Sequence, residues 1–68
     1  MRILGVDPGT GICGFGVISV PKKGPTVLLD SGVIATPPHT PLPERLLDIF
    51  NSLNDIIRED KPDCISIE

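Results

Sequence analysis

Apolar residues come in short runs split by proline and glycine in the first half of this chain. In the second half they recur every three to four residues. The first run, Ile3-Leu4-Gly5-Val6, lies between Arg2 and Asp7 and is closed by Pro8-Gly9. Its length and apolar character predict a fully buried strand over residues 2–7. Pro8 to Cys13 holds two glycines and a threonine and reads as a turn. Gly14-Phe15-Gly16-Val17-Ile18-Ser19-Val20 ends in β-branched residues and predicts a second strand. Pro21-Lys22-Lys23-Gly24-Pro25 fits only an exposed loop. A third strand is expected from Thr26 to Thr36, with a bulge or polar step at Asp30-Ser31-Gly32. Short connections make an antiparallel meander the economical arrangement of the three.

The period changes after the stiff Pro37-Pro38-His39-Thr40-Pro41 linker. Leu42, Leu46, Ile49, Phe50, Leu53, Ile56 and Ile57 make one apolar helical stripe, expected to be core together with Phe15. Glu44, Asp48, Ser52, Asp55 and Glu59 face away. Thr40 is the candidate N-cap, Pro43 suits the first turn, and Glu44 suits the positive end of the helix dipole. Pro62 stops the helix after Asp60-Lys61. Cys64 to Ile67 then predicts a fourth strand. The order β-β-β-α-β describes one α+β unit over residues 1–68, with no internal repeat.

Composition narrows the setting. At 68 residues there is room for one small domain. Chains of this size bury only about 60% of their unfolded surface, so stability is expected to be marginal. Cys13 and Cys64 form no close pair, and two free thiols are expected rather than a disulfide. Six basic against nine acidic residues give a net charge of −3, unlike a self-contained nucleic-acid binder. No apolar run approaches the roughly 18 residues of a membrane span, and no secretory signal is visible, so a cytoplasmic setting is expected.

The candidate chemistry lies at two strand ends, where apolar runs lead into Asp7 and Glu68. The helix is long enough to return the chain to the bottom of the sheet, so the fourth strand runs parallel to the first. A right-handed crossover places it beside the first strand or outside the third. Beside the first, the two acidic backbones lie about 5 Å apart; outside the third, roughly 14 Å. The apolar first strand favours a central position, hence the nearer arrangement. Only that arrangement lets both carboxylates grip one divalent cation. Such a cation offsets their repulsion. Mg²⁺ suits oxygen donors and keeps several waters, and a pair of ions about 3.5–4 Å apart hydrolyses phosphodiesters. Gly9, Thr10 and Gly11, with Gly14 and Gly16, are weaker candidates for a phosphate contact, because a glycine-rich turn is more often only a turn. An acid before Pro-Gly is likewise a turn signal in its own right. His39 is expected to be an exposed loop residue, and Lys22 and Lys23 a solvated hairpin tip.

Met1 to Gly11, continuing through Gly14-Phe15-Gly16-Val17-Ile18, resembles the N-terminus of the bacterial crossover junction endodeoxyribonucleases, the RuvC family of Holliday junction resolvases. Ser31-Gly32-Val33-Ile34 is similar to that family's third strand and Pro43-Glu44-Arg45-Leu46 to the start of its first helix. Pro62-Asp63-Cys64-Ile65-Ser66-Ile67-Glu68 resembles its fourth strand with the second catalytic acid. The resemblance covers essentially the whole chain and implies a partial ribonuclease H-like fold with strand order 3-2-1-4. It further implies catalytic, metal-binding roles for Asp7 and Glu68 and two Mg²⁺ or Mn²⁺ ions per complete site. The substrate would be four-way junction DNA, the enzyme a homodimer, and its partners branch-migration helicases, in DNA recombination and repair. The family's other two carboxylates, on a late helix, have no counterpart here. The chain is therefore expected to be the N-terminal portion of a single nuclease domain and inactive alone.

Two other readings share the pattern. An actin-like ATPase or sugar kinase also begins with a strand, an Asp and a Gly-Thr turn, with Asp7 to Gly11 as its phosphate loop. Here Gly11-Ile12-Cys13 follows where those proteins carry further Thr or Ser. The third reading is a non-catalytic binding module of ribonuclease H-like fold.

Overall fold

The computed structural model describes residues 1–9 and 11–68, in the order β1 (Arg2–Asp7), β2 (Ile12–Ser19), β3 (Val27–Ala35), α1 (Leu42–Asp60) and β4 (Cys64–Ile67). The four strands form one mixed sheet ordered β3-β2-β1-β4. β1 and β2 pair antiparallel from Arg2↔Ser19 to Asp7↔Gly14. β4 pairs parallel with β1 from Ile3↔Cys64 to Val6↔Ile67. The nearer of the two crossover arrangements is therefore the one adopted.

Strand limits differ from expectation at the glycines. β2 begins at Ile12, because Ile12 and Cys13 already pair with Ala35 and Ile34 of β3. The irregularity in β3 also sits earlier than Asp30-Ser31-Gly32. Val17 pairs with Asp30 and Ile18 with Leu28, which leaves Leu29 as the extra residue. Asp30, Ser31 and Gly32 themselves continue the ladder.

The corner between α1 and β4 sets the register of the last strand. The Arg2 amide donates to the Asp63 carboxylate (2.7 Å), and the Asp63 amide returns to the Arg2 carbonyl (2.8 Å). The Arg2 guanidinium donates to the Asp60 carbonyl at 2.8 Å. Three bonds thus tie the start of β1 to the chain just before β4, and the pairing runs upward from there.

α1 starts on Pro41, not on Thr40, and no side chain caps it. The Pro41 carbonyl takes the amides of Glu44 and Arg45 at 3.0 and 3.1 Å, and Pro43 occupies the first turn as expected. At the far end Lys61 turns left-handed (φ 49°) and its amide bonds the Ile57 carbonyl, with Pro62 next.

Alternation along the strands divides the sheet into two faces. Leu4, Val6, Cys13, Val17 and Ile34 are buried on one, against Phe15, Ile49, Leu53 and Ile56. The opposite face carries no helix, so Ile3 and Gly5 are only half-buried and β1 is covered on one side alone. The helical stripe is also wider than what it covers. Phe50 is 60% exposed, and Leu42, Leu46 and Ile57 are exposed too, so these are not core. On β4, Ile65 and Ile67, which pair with Leu4 and Val6 and so share their face, stay exposed as well.

Candidate active site

Asp7 closes β1 and Glu68 follows β4 directly. The Glu68 amide donates to the Val6 carbonyl (3.2 Å), which carries the parallel ladder one step past Val6↔Ile67. The two acids therefore end neighbouring parallel strands, whose backbones lie about 4.8 Å apart. Gly5 pairs with Ser66, and Asp7 and Glu68 lie two residues beyond each of them. Both acids consequently project from the same face, the one without the helix.

That face forms an open groove of about 720 Å³, lined by Asp7, Glu68, Gly5, Gly14, Gly16 and Ser66 among others. Glycines make its floor. A Cβ on Gly14 would only touch the Asp7 Cβ at 3.9 Å, so space, not crowding, lies beside the carboxylate. Both acids are exposed, and among the described residues neither carboxylate is hydrogen-bonded or ion-paired; the sole salt bridge is Arg58–Asp55 at 4.0 Å, out on the helix. Both charges face solvent.

The donor set suits a hard divalent cation. Carboxylate oxygens are what Mg²⁺ takes, and it tolerates few protein ligands because it retains water. Among the described residues no group of three or more His, Cys, Asp or Glu side chains gathers round one point.

The glycine turn behaves differently from the acids. A Cβ on Gly9 would run into the carbonyl oxygen of Ile12, so the residue is needed for a close backbone approach. The Gly11 carbonyl is taken by the Thr36 amide at 3.0 Å. Neither Gly9 nor Gly11 lines the groove, and Thr10 lies outside the described residues. His39, Lys22 and Lys23 are exposed, and the cysteines are free, Cys13 buried and Cys64 exposed.

Of the glycines that sequence reading offered for a phosphate contact, Gly14 and Gly16 line the groove; it missed the floor residues Gly5 and Ser66. Their signal was present in the alternation: Gly5 precedes Asp7, and Ser66 precedes Glu68, by the two-residue step that shares a face.

Comparison with known proteins agrees with this geometry. Residues 3–68 match the family model described as crossover junction endodeoxyribonuclease RuvC. The relative of that name from Chloroflexus aurantiacus is 43% identical over 68 residues, covering 100% of this chain and 41% of the relative. That from Desulfitobacterium hafniense is 44% identical over 69 residues, with 100% and 41% coverage. The Thermus thermophilus RuvC structure superposes with a TM-score of 0.89 at 30% identity, over 98% of this chain and 42% of that one. The same protein in complex with Holliday junction substrate gives a TM-score of 0.88 at 28% identity, over 98% and 41%. The chain thus spans about two fifths of the length of the proteins it matches. With the sheet order, the paired acids and the match over residues 3–68 in agreement, the chain belongs to the crossover junction endodeoxyribonuclease RuvC family, with its ribonuclease H-like fold.

Proposed function

We propose that this chain supplies the first half of a nuclease site that hydrolyses phosphodiesters in Holliday junction DNA, with Asp7 and Glu68 as its catalytic carboxylates. One observation carries the reading: two unpaired acids end adjacent parallel strands on an open, glycine-floored face. Each carboxylate would offer oxygens to Mg²⁺ or Mn²⁺. When bound, a pair of such ions activates a water and stabilises the leaving oxygen. The chain's own part is geometric. Parallel pairing fixes the spacing of the acids, and the Arg2–Asp63 corner fixes the register that delivers Glu68. The bare floor at Gly5, Gly14 and Gly16 leaves room for a sugar-phosphate backbone beside them. Four-way junction DNA as substrate, a homodimeric complete enzyme, branch-migration helicase partners and a cytoplasmic setting belong to the same proposal. The phosphate-loop reading draws no support from Gly9 or Gly11, neither of which lines the groove.

The test is a chimera that joins residues 1–68 to the remaining part of the Chloroflexus aurantiacus relative. It is expected to nick a synthetic four-way junction symmetrically with Mg²⁺ or Mn²⁺. Asp7→Asn or Glu68→Gln should each lower the rate at least about 100-fold, the scale of a lost charge-stabilising group. The unfused chain should leave the junction intact. Undiminished cleavage by either substituted chimera sinks the assignment of these acids.

A further inference from the structure

Ser66 shares the open face with the two acids. It pairs with Gly5, which pairs in turn with Gly16, so the three form one cross-strand row on the groove floor. Glu68 stands two residues further along β4, about 6.6 Å away. The row is almost bare. A Cβ on Gly5 would have the Gly16 carbonyl oxygen as its nearest neighbour at 3.8 Å, and one on Gly16 would meet nothing closer than 4.0 Å. Past this row the groove runs back to Ile3 and Ile18, the next pair on the same face. Ser66 is exposed, and among the described residues no hydrogen bond engages its hydroxyl.

The groove is short of hydrogen-bond donors. Asp7 and Glu68, when ionised, only accept. The other lining side chains, Ser66 apart, are apolar or, at the glycines, absent. The floor amides belong to β1 and β2, each paired on both sides, and are committed to the ladders. Among the described residues, Ser66 therefore carries the one side-chain donor that lines the groove. A phosphodiester offers acceptors alone, and serine hydroxyls are regular partners of its oxygens. The phosphate being cleaved is not within its reach. An ion gripped by both acids lies about 2.1 Å from their oxygens, at the strand ends, and Ser66 is set a full two-residue step behind them. A DNA strand that presents one phosphate there and lies in the groove passes over Gly5, beside the Ser66 hydroxyl.

We propose that Ser66 is a substrate-binding residue, whose hydroxyl donates to the phosphate next to the one being cleaved. The inference rests on Asp7 and Glu68 forming the cleavage site, and its test separates the two ideas. The chimera described above is compared with its Ser66→Ala, Ser66→Thr and Ser31→Ala variants. Ser31 pairs with Gly16 on the same row but stands outside the groove, and serves as the control. Ser66 and Ser31 are exposed, so all three variants keep the fold, with circular dichroism as the check. Ser66→Ala should lower kcat/KM about five- to tenfold, mainly through KM, as loss of a bond to a charged group that binds ground and transition states alike. Ser66→Thr retains the hydroxyl and should stay near wild type, and Ser31→Ala should not differ from it. The junction is then made with one uncharged methylphosphonate, placed in turn on either side of the mapped nick. At one of the two positions the wild-type chimera should lose activity while Ser66→Ala loses little more, the non-additivity that marks a direct contact. Additive losses at both positions overturn the contact, as does a wild-type kcat/KM in Ser66→Ala. A fall in Ser66→Thr or Ser31→Ala as large as in Ser66→Ala overturns it too. In each of these cases nicking that still requires Asp7 and Glu68 leaves the carboxylate assignment standing. A wild-type chimera that never nicks, or one indifferent to Asp7→Asn and Glu68→Gln, removes the cleavage site and the contact with it.

Discussion

Gly9 follows Asp7 along the chain and Gly14 pairs with it across the sheet, and the two glycines answer opposite demands. At Gly9 an added Cβ meets the Ile12 carbonyl oxygen, a backbone atom that moves only if the turn moves. At Gly14 the nearest atom to an added Cβ is the Asp7 Cβ at 3.9 Å, an ordinary contact. Gly9→Ala should therefore cost about 1–3 kcal/mol, the range for forcing atoms into occupied space. On a domain of this size that lowers Tm by several degrees per kcal/mol. Gly14→Ala should match or slightly exceed the wild type, since alanine restricts the unfolded chain and the site accepts it. Thermal melts of the two variants decide the matter. A Gly9→Ala chain as stable as wild type would mean the turn relaxes freely, and the hold on Asp7 would then be looser than the geometry indicates.

Elements show which parts of this architecture the sequence could declare. β1, β4 and their shared direction were legible because each is a short apolar run ending in an acid, with a helix of known reach between them. The exposed flank of α1 was not. Helical spacing tells which residues share a side, and Leu46, Ile49, Phe50 and Leu53 do, but it cannot tell how wide a sheet lies beneath them. Thr40 failed as N-cap because Pro41 already offers its carbonyl to two amides, and the helix begins one residue later. The contact between the end of α1 and β3 was also invisible, since Asp30 and Asp60 are thirty residues apart. Asp60 has one carboxylate oxygen shielded from solvent with no partner, although the residue is only half-buried. Its carboxyl is raised above the ordinary 3.8, chiefly by a hydrogen bond with Asp30, then by burial and by the charges of Asp30 and Glu59; Arg2 opposes this. Two carboxylates cannot bond each other until one carries a proton. A raised folded-state value means that folding takes up that proton. The contribution is thus complete below the unfolded value near 3.8 and is lost as pH rises through the elevated one. Asp60→Asn provides a donor at every pH. It should melt higher than wild type at pH 7 and lose that advantage near pH 3. An advantage that grows in acid would show that Asp60 pairs with a cation instead.

Across the whole molecule, apolar surface is left uncovered where the sheet has room for more. Ile65 and Ile67 on β4 are 48% and 68% exposed, and the Leu46–Phe50–Ile57 flank of α1 lies on the same side. β4 is also an edge strand of four residues, with none of them buried. Unpaired strand edges with apolar side chains recruit other chains. A net charge of −3 opposes this by repulsion between copies. The two effects respond oppositely to salt, which makes them separable. Screening weakens the repulsion over about 10 Å at 0.1 M and leaves apolar burial intact. The purified 68-residue chain should therefore self-associate, and more strongly at high ionic strength. Phe50→Lys combined with Ile67→Lys should return it to a monomer with little loss of helix or sheet, because both side chains already face water. Sedimentation equilibrium at two salt concentrations, with circular dichroism as the check on folding, makes the measurement. Association that weakens with salt would assign it to charge pairing. A chain that stays monomeric at millimolar concentration and melts cooperatively would show that the buried cluster around Leu4 and Val17 is sufficient, and that the exposed flank and edge carry no adhesive free energy of their own.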